Sequence, residues 1–376
     1  MAKKRSGIVN PFVVHGYAGP DYFCGRDEET QAMLSSLRNG WNVTLIAPRR
    51  VGKTGLIHNV FHEIRQTDRD ALCIYLDIFS TRCLQDFIQV LGKGIFNELY
   101  SHGEKMLKKL MSVIARCRPV ISVDALTGMP TVTFDIEPSS ERQTLDDIFA
   151  GMSKTGRHCY IAIDEFQQIT QYPETGTEAL LRSHIQFMSN ANFIFAGSSQ
   201  HLMTEMFVSA KRPFYNSTRI MTLGPIGYDV YYDFAAAFFR RKGIGLSDET
   251  FRYVYDMFDG HTWYVQTVLN RLYALGVEAD KRSVAGVVSR VVDENTSVYQ
   301  TLISMLPNQQ LNLLRAIAAE GVVAAPTNGA FIVRHNLKAT STVNSAMKTL
   351  VAKELVYKGE KGYMVYDRFL SLWLSR

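Results

Sequence analysis

Residues Trp41–Ile57 read WNVTLIAPRRVGKTGLI, and this stretch decides the fold. Val43–Ile46 is a short, mostly apolar run, the pattern of a buried parallel strand. Ala47–Thr54 follows as A-P-R-R-V-G-K-T, and Leu56, Ile57, Val60 and Phe61 then recur at helical spacing. Strand, tight basic loop, GKT and helix make the context of a phosphate-binding P-loop. The chemistry accounts for the residue types. Backbone N–H groups of a loop made of Ala47, Pro48, Arg49, Arg50, Val51 and Gly52 wrap a β-phosphate, and the helix N-terminus at Lys53, Thr54 and Gly55 adds partial positive charge. Lys53 reaches the β- and γ-phosphates, and Thr54 places its hydroxyl on Mg²⁺. Gly52 lets the backbone approach without a Cβ. Ala47 stands where the pattern expects a first glycine, and its methyl removes easy access to φ > 0 there.

The remaining composition narrows the class. A chain of 376 residues fits two or three domains, and 46% hydrophobic content is enough for a sizeable core. The net charge of +5 is placed unevenly: residues 306–376 hold nine Lys/Arg against four acids, so the excess lies at the C-terminus. That asymmetry points to a polyanion partner there. The five cysteines form no CxxC pair, and Cys73 and Cys159 lie inside apolar runs, as reduced buried thiols do. No apolar run approaches a membrane span and the N-terminus lacks a secretory pattern, so a cytoplasmic protein without membrane contact is expected. The nine His show no HExxH spacing, and no GxSxG elbow occurs, which removes zinc-protease and serine-hydrolase chemistry.

Taken in order, Asn10–Arg26 is an extended lead-in, and Asp27–Arg38 an amphipathic helix ended by Asn39-Gly40. The aromatic before it, Phe23, either lines an adenine pocket or packs on the first strand. Ala71–Phe79 reads as a second strand, and Asp77 at its end either organises Mg²⁺-bound water or caps the helix Leu84–Tyr100. A basic helix is expected over Glu104–Arg116, then a β-hairpin inserted at about 118–137. Cys159–Gln167, CYIAIDEFQ, is an apolar strand ending in Asp-Glu. Asp164 there suits a water-mediated hold on Mg²⁺, and Glu165 suits orienting and deprotonating an attacking water. The Glu beside the Asp favours ATP hydrolysis over kinase chemistry. Asn192–Gly197 is a further strand, ending in Ser198-Ser199. Arg219, ahead of Arg212, is the candidate cation for charge on the transferred phosphoryl group, in its own subunit or a neighbour. Residues 226–305 are helical in pattern. Residues 306–376 read as helices followed by a β-hairpin, a winged helix-turn-helix whose helix STVNSAMKTLVAK carries Ser341, Thr342, Asn344, Ser345 and Lys348 on a polar side.

Together these motifs give a resemblance. Asn10-Pro11-Phe12, Phe23-Cys24-Gly25-Arg26, APRRVGKT, YLDIFS at Tyr75–Ser80, IAIDEFQ, AGSS, PFY…TR…LGP and the terminal winged helix, in that order, look like the archaeal-type P-loop ATPases of the STAND/AAA+-related class. The resemblance implies an α/β fold: an AAA+-like parallel-sheet core over 1–225, a helical lid over 226–305, and a winged helix over 306–376. It implies nucleotide held where core and lid meet, with Gly25, Arg26 and Pro225 lining base and ribose and Ser198 sensing the γ-phosphate. The expected function is an ATP- and Mg²⁺-dependent molecular switch. It acts on a protein partner, a homo-oligomer or double-stranded DNA; the alternative is a DNA-binding regulator that uses nucleotide as a structural or allosteric ligand.

Overall fold

The computed structural model describes residues 9–103, 119–123, 130–134, 136, 140–359 and 361–376. The helix expected over Glu104–Arg116, the hairpin turn at Thr127-Gly128 and Cys117 lie outside them. The chain divides into two compact units. One holds Val13–Tyr231 and His261–Trp263; the other holds Met1–Phe12, Tyr232–Gly260 and Tyr264–Arg376.

The first unit is built on a five-stranded parallel sheet of β1 (Val43–Ile46), β2 (Leu72–Asp77), β5 (Cys159–Asp164), β6 (Ala191–Gly197) and β7 (Arg219–Thr222), in the order β2-β5-β6-β1-β7. Successive side chains alternate between its faces. Leu72, Ile74 and Leu76 pack with Ile161, Ile163, Phe193 and Phe195 on one face, beneath α3 (Leu84–Ser101) and α4 (Glu141–Ser153). Val43, Leu45, Cys73, Ala162, Ile194 and Ala196 fill the other, beneath α1 (Asp27–Arg38) and α2 (Lys53–Thr67). Burial raises the thiol of Cys73 to about 12 and that of Cys159 to about 11, so both are inert apolar groups. Under the carboxyl ends of β5 and β6, Phe166, Phe195, Phe207 and Phe214 form a four-ring cluster with centroids 4.6–5.9 Å apart.

The inserted hairpin, β3 (Pro119–Val123) and β4 (Pro130–Phe134), pairs antiparallel as its own two-stranded sheet. It is fastened to α3. Gln89 accepts from the Phe134 N–H at 2.9 Å and donates to its carbonyl at 2.5 Å. Gly92 makes the fit possible, because a Cβ there would stand 1.9 Å from the Phe134 ring. Helices α5 (Thr177–Ile185) and α6 (Gln200–Val208) complete this part of the chain.

The second unit takes up most of α7 (Tyr228–Arg241) and α9 (Thr262–Leu275), with α8 (Asp248–Met257), α10 (Lys281–Glu294), α11 (Thr296–Ser304), α12 (Asn308–Glu320), α13 (Gly329–Arg334), α14 (Thr340–Ala352), the β8–β9 hairpin (Val356–Gly359, Gly362–Val365) and α15 (Arg368–Leu374). The start of the lead-in, through Phe12, belongs to this unit rather than to the P-loop sheet. Phe12 is fully buried among Phe234, Phe238, Phe239 and Tyr273. Asn10 and Asn270 each donate to the other segment's backbone, at 2.8 and 2.7 Å. In the terminal module Leu313, Leu314 and Ile317 of α12, with Val343, Ala346 and Leu350 of α14, are buried, while Ser341, Asn344, Ser345 and Lys348 are exposed and Thr342 is half-buried. Capping is selective: Asp280 and Ser283 form a reciprocal box at the start of α10.

Candidate functional site

In an open parallel sheet, ligands bind beyond the carboxyl ends of the strands. The register shows which residues arrive there: Ile46 lies beside Gly197 and Thr222, and Asp77 beside Asp164. The P-loop leaves β1 with the Ala47 N–H on the Gly197 carbonyl at 3.3 Å. Its left-handed residues are Arg50 (φ 65°) and Gly52 (φ 104°). Ala47 is not among them, so the alanine that replaces the expected glycine carries no backbone penalty; the bend falls three residues later, on an arginine. The amides of Gly52, Lys53 and Thr54 donate to no carbonyl among the described residues, as the opening turn of a helix dictates. Lys53, only 6% exposed, donates to the carbonyls of Ala47 at 3.1 Å and Pro48 at 3.2 Å. Burial pulls its ammonium below the usual lysine range, against the opposing pull of Glu165 and Asp164.

The outer side of the loop is braced. Arg26, 3% exposed, donates to the Val51 carbonyl at 3.3 Å and the Gly224 carbonyl at 2.7 Å, and pairs with Glu29. Thr262 donates to the Val51 carbonyl at 3.4 Å, and the Arg50 guanidinium lies 4.2 Å over Trp263. Gly25 is needed because a Cβ there would meet Ile226 at 2.6 Å. Arg26 therefore ties the P-loop to the turn that precedes Pro225. Phe23 packs against α2: a Cβ at Gly55 would lie 3.1 Å from its ring.

The acidic pair is held by side chains from α2, β2, the turn after β5 and the residue after β6. Asp164 Oδ2 accepts from the Thr54 hydroxyl at 3.0 Å and the Tyr75 hydroxyl at 2.6 Å, and Oδ1 accepts from the Glu165 N–H at 3.0 Å. Glu165 sits in the left-handed region at φ 57°. Its Oε2 accepts from the Ser198 hydroxyl at 2.6 Å and from Gln167 Nε2 at 2.5 Å. Arg49 Nε donates to the same Ser198 hydroxyl at 3.3 Å. Lys53, Thr54, Asp164, Glu165 and Ser198 are thus brought together.

The capping role open to Asp77 and the catalytic role expected of Arg219 within its own chain are not what the structure places there. Asp77 does not cap α3, whose N-cap is Cys83; it accepts from the Phe79 N–H at 2.9 Å and shapes its own turn. Arg219 is opposite Val43, at the amino end of β1, and donates to Ser36 on α1 at 3.2 Å. Parallel strands carry it to the end of the sheet away from the P-loop, so within one chain it does not serve the acidic pair. Arg212 is occupied by Glu178 at 2.5 Å and Glu205 at 3.7 Å. Two residues that lie inside the quoted motifs but received no role from them, Tyr75 and Gln167, hold the carboxylates. Tyr75 had a faint signal: a polar-tipped residue inside an apolar strand, on the face opposite Ile74 and Leu76. Burial and the Asp164 charge hold its hydroxyl protonated, and therefore a donor.

The site's oxygen donors suit a hard cation. Among the described residues no group of three or more His, Cys, Asp or Glu could hold a metal ion. Thr54 and Asp164 alone fit an ion that keeps water and phosphate as its other ligands. No helix of the described residues is long and apolar enough to cross a membrane.

Comparison with known proteins agrees with this geometry. The sequence model of the family described as "ATPase domain predominantly from Archaea" matches residues 23–268, and that of "Probable winged helix domain" matches residues 297–376. No curated protein sequence matches. Among solved structures, a Walker-type ATPase of Pyrococcus abyssi is similar at TM-score 0.65 and 16% identity, covering 97% of this chain and 99% of that one. The Aeropyrum pernix ORC2 protein, in ADPNP–ADP complexes, gives 0.57 and 14%, with 93% and 92% covered. The Aeropyrum pernix ORC1 protein in complex with DNA gives 0.52 and 13%, with 98% and 96% covered. At these identities the likeness is one of fold: an AAA+-like parallel sheet with a C-terminal winged helix. The family model spans well over half the sequence and includes every strand of the sheet, so the chain belongs to the family of ATPase domains found predominantly in Archaea.

Proposed function

We propose that the chain is a Mg²⁺-dependent ATPase that works as a molecular switch, its nucleotide state read by a partner. The observation that carries this reading is the convergence of Thr54 and Tyr75 on Asp164 beside the Ser198–Glu165 hydrogen bond. Lys53 exchanges the Ala47 and Pro48 carbonyls for phosphate oxygens, and the amides at the start of α2 take the β-phosphate. Thr54 and Asp164 would hold Mg²⁺, which when bound neutralises charge on the phosphates. Glu165 accepts a proton from the water whose oxygen attacks the γ-phosphorus, the bond to ADP breaks, and phosphate leaves. Ser198, hydrogen-bonded to Glu165, reports the presence of the γ-phosphate. Phosphate release from Mg-ATP and Mg-GTP by the purified chain tests this: ATP turnover is expected, and no affinity for either nucleotide would overturn it.

Tyr75→Phe removes one donor from Asp164 and should raise the Mg²⁺ concentration for half-maximal nucleotide binding about tenfold, the usual scale for an outer-shell partner. Nucleotide binding without Mg²⁺ should stay unchanged, as a fluorescent ATP analogue would show. A pH dependence is also expected. Lys53 titrates below 10.5 in the folded chain, and phosphate contact requires the ammonium. ATP affinity should fall as pH rises through that lowered value, and a Lys53→Arg chain should lack the fall because guanidinium does not titrate there. In the free chain the sign is opposite for stability: between the lowered value and 10.5 the unfolded state binds more protons, so stability rises with pH.

The winged helix supports a second reading, a DNA-binding regulator with nucleotide as an allosteric ligand. Its basis is the exposed row Ser341, Asn344, Ser345 and Lys348 on α14. Affinity for double-stranded DNA should weaken with salt on a log–log plot; a flat line would leave only the switch.

A further inference from the structure

We propose that Arg49, from the P-loop itself, supplies the cation that stabilises the γ-phosphoryl group during hydrolysis, so that one chain holds a complete catalytic set. This rests on the ATPase reading above. Three observations carry it. The first is placement: Arg49 Nε donates to Ser198 Oγ at 3.3 Å, and that hydroxyl donates to Glu165 Oε2 at 2.6 Å. A single hydroxyl therefore links the guanidinium to the group that activates water. The second is orientation. The guanidinium lies 5.3 Å over the ring of Phe79, which is 57% exposed, and Phe79 is set in place by the turn that Asp77 closes. Stacking fixes the plane of an arginine while leaving its edge for hydrogen bonds. Asp77 thereby acts on the site at one remove, since it positions Phe79 and Phe79 positions Arg49.

The third is what the other cations do. Lys53 is buried on two carbonyls and assigned to the β- and γ-phosphates. Arg26 is spent on Glu29, Val51 and Gly224, and Arg50 on Trp263. Arg212 is held by two glutamates, and Arg219 reaches Ser36 at the far end of the sheet. Charge grows on the γ-phosphoryl oxygens as the bond to ADP lengthens, and a fixed guanidinium beside Ser198 meets it without reorganisation.

The test compares Arg49→Ala, Arg49→Lys and Arg219→Ala with the parent chain. Three readouts are taken: ATP affinity, turnover per chain at several protein concentrations, and retention of labelled ADP with aluminium fluoride, which mimics the transferring group. Arg49→Ala should bind ATP nearly as the parent does, lose about 10³-fold in kcat, and fail to retain ADP with aluminium fluoride. Arg49→Lys should recover part of both. Arg219→Ala should match the parent, and parent turnover per chain should not depend on concentration. An active parent with an unaffected Arg49→Ala chain would overturn this proposal alone. So would a collapse of turnover in Arg219→Ala with a parent rate that climbs with concentration, since the cation would then come from a neighbour. A parent inert toward ATP would overturn the ATPase reading and this one with it.

Discussion

A Glu165→Gln chain should bind ATP with the parent's affinity and turn it over about 10²–10⁴-fold more slowly, the range that a positioned general base contributes. The substitution suits the question because the local frame survives it. The amide oxygen of Gln can still accept from Ser198 and Gln167, as Glu165 Oε2 does now. The left-handed backbone at this position is unchanged in its steric demand. What is lost is the capacity to take a proton from water. Phosphate release and equilibrium binding of a fluorescent nucleotide, measured side by side, separate the two effects. Parental turnover would show that the proton leaves by another route. Weakened binding instead would mean that Glu165 serves mainly to place Ser198.

Phe195→Ala is expected to be the largest single loss of stability available near the site, about 3–5 kcal/mol. Phe195 is fully buried on β6, two residues before Gly197, with Phe166, Phe207 and Phe214 around its ring. Phe166 directly follows Glu165, so an emptied ring volume loosens the turn that carries the base. The urea midpoint reads the stability, and kcat at a temperature well below melting reads the loosening. A change below about 1 kcal/mol would mean that the three remaining rings close the gap, which aromatic shapes in close-packed interiors rarely do. Gly197 adds to the argument, because a Cβ there would lie 2.5 Å from both Gln167 and Met203. The floor under the acidic pair has no spare room.

Much of this was legible in the chain itself. Local periodicity and turn chemistry located β1, α1, β5 and β6 within a residue or two, and the existence of α2 though not its end at Thr67, because each element's burial pattern is written along its own length. The placement of the P-loop lysine and of the Asp-Glu pair at or beyond the carboxyl ends of their strands was legible for the same reason, since the loop and the pair each follow an apolar run directly. What stayed hidden depends on pairing between distant segments. By its sequence Arg219 is available for catalysis; pairing of β7 with β1 puts it at the amino end of the sheet. Tyr75 and Gln167 reach carboxylates that only the sheet order and the turn after β5 bring near. Phe12, a lead-in residue by composition, is the centre of an aromatic cluster on α7 and α9, which no local pattern announces. Asp77 is ambiguous in sequence between organising Mg²⁺-bound water and capping α3; the structure removes the cap, because the carboxylate closes its own turn on the Phe79 N–H.

The stacking of Arg50 on Trp263 has a practical consequence. Indole emission is sensitive to a cation resting on its face, so the chain contains its own unlabelled optical gauge of the P-loop. Trp41, largely solvated, and Trp373, beside Tyr299, supply a steady background. Any ligand that draws the Arg50 side chain off the ring would change the colour or intensity of the ultraviolet glow, and stopped-flow mixing could time that event without a dye.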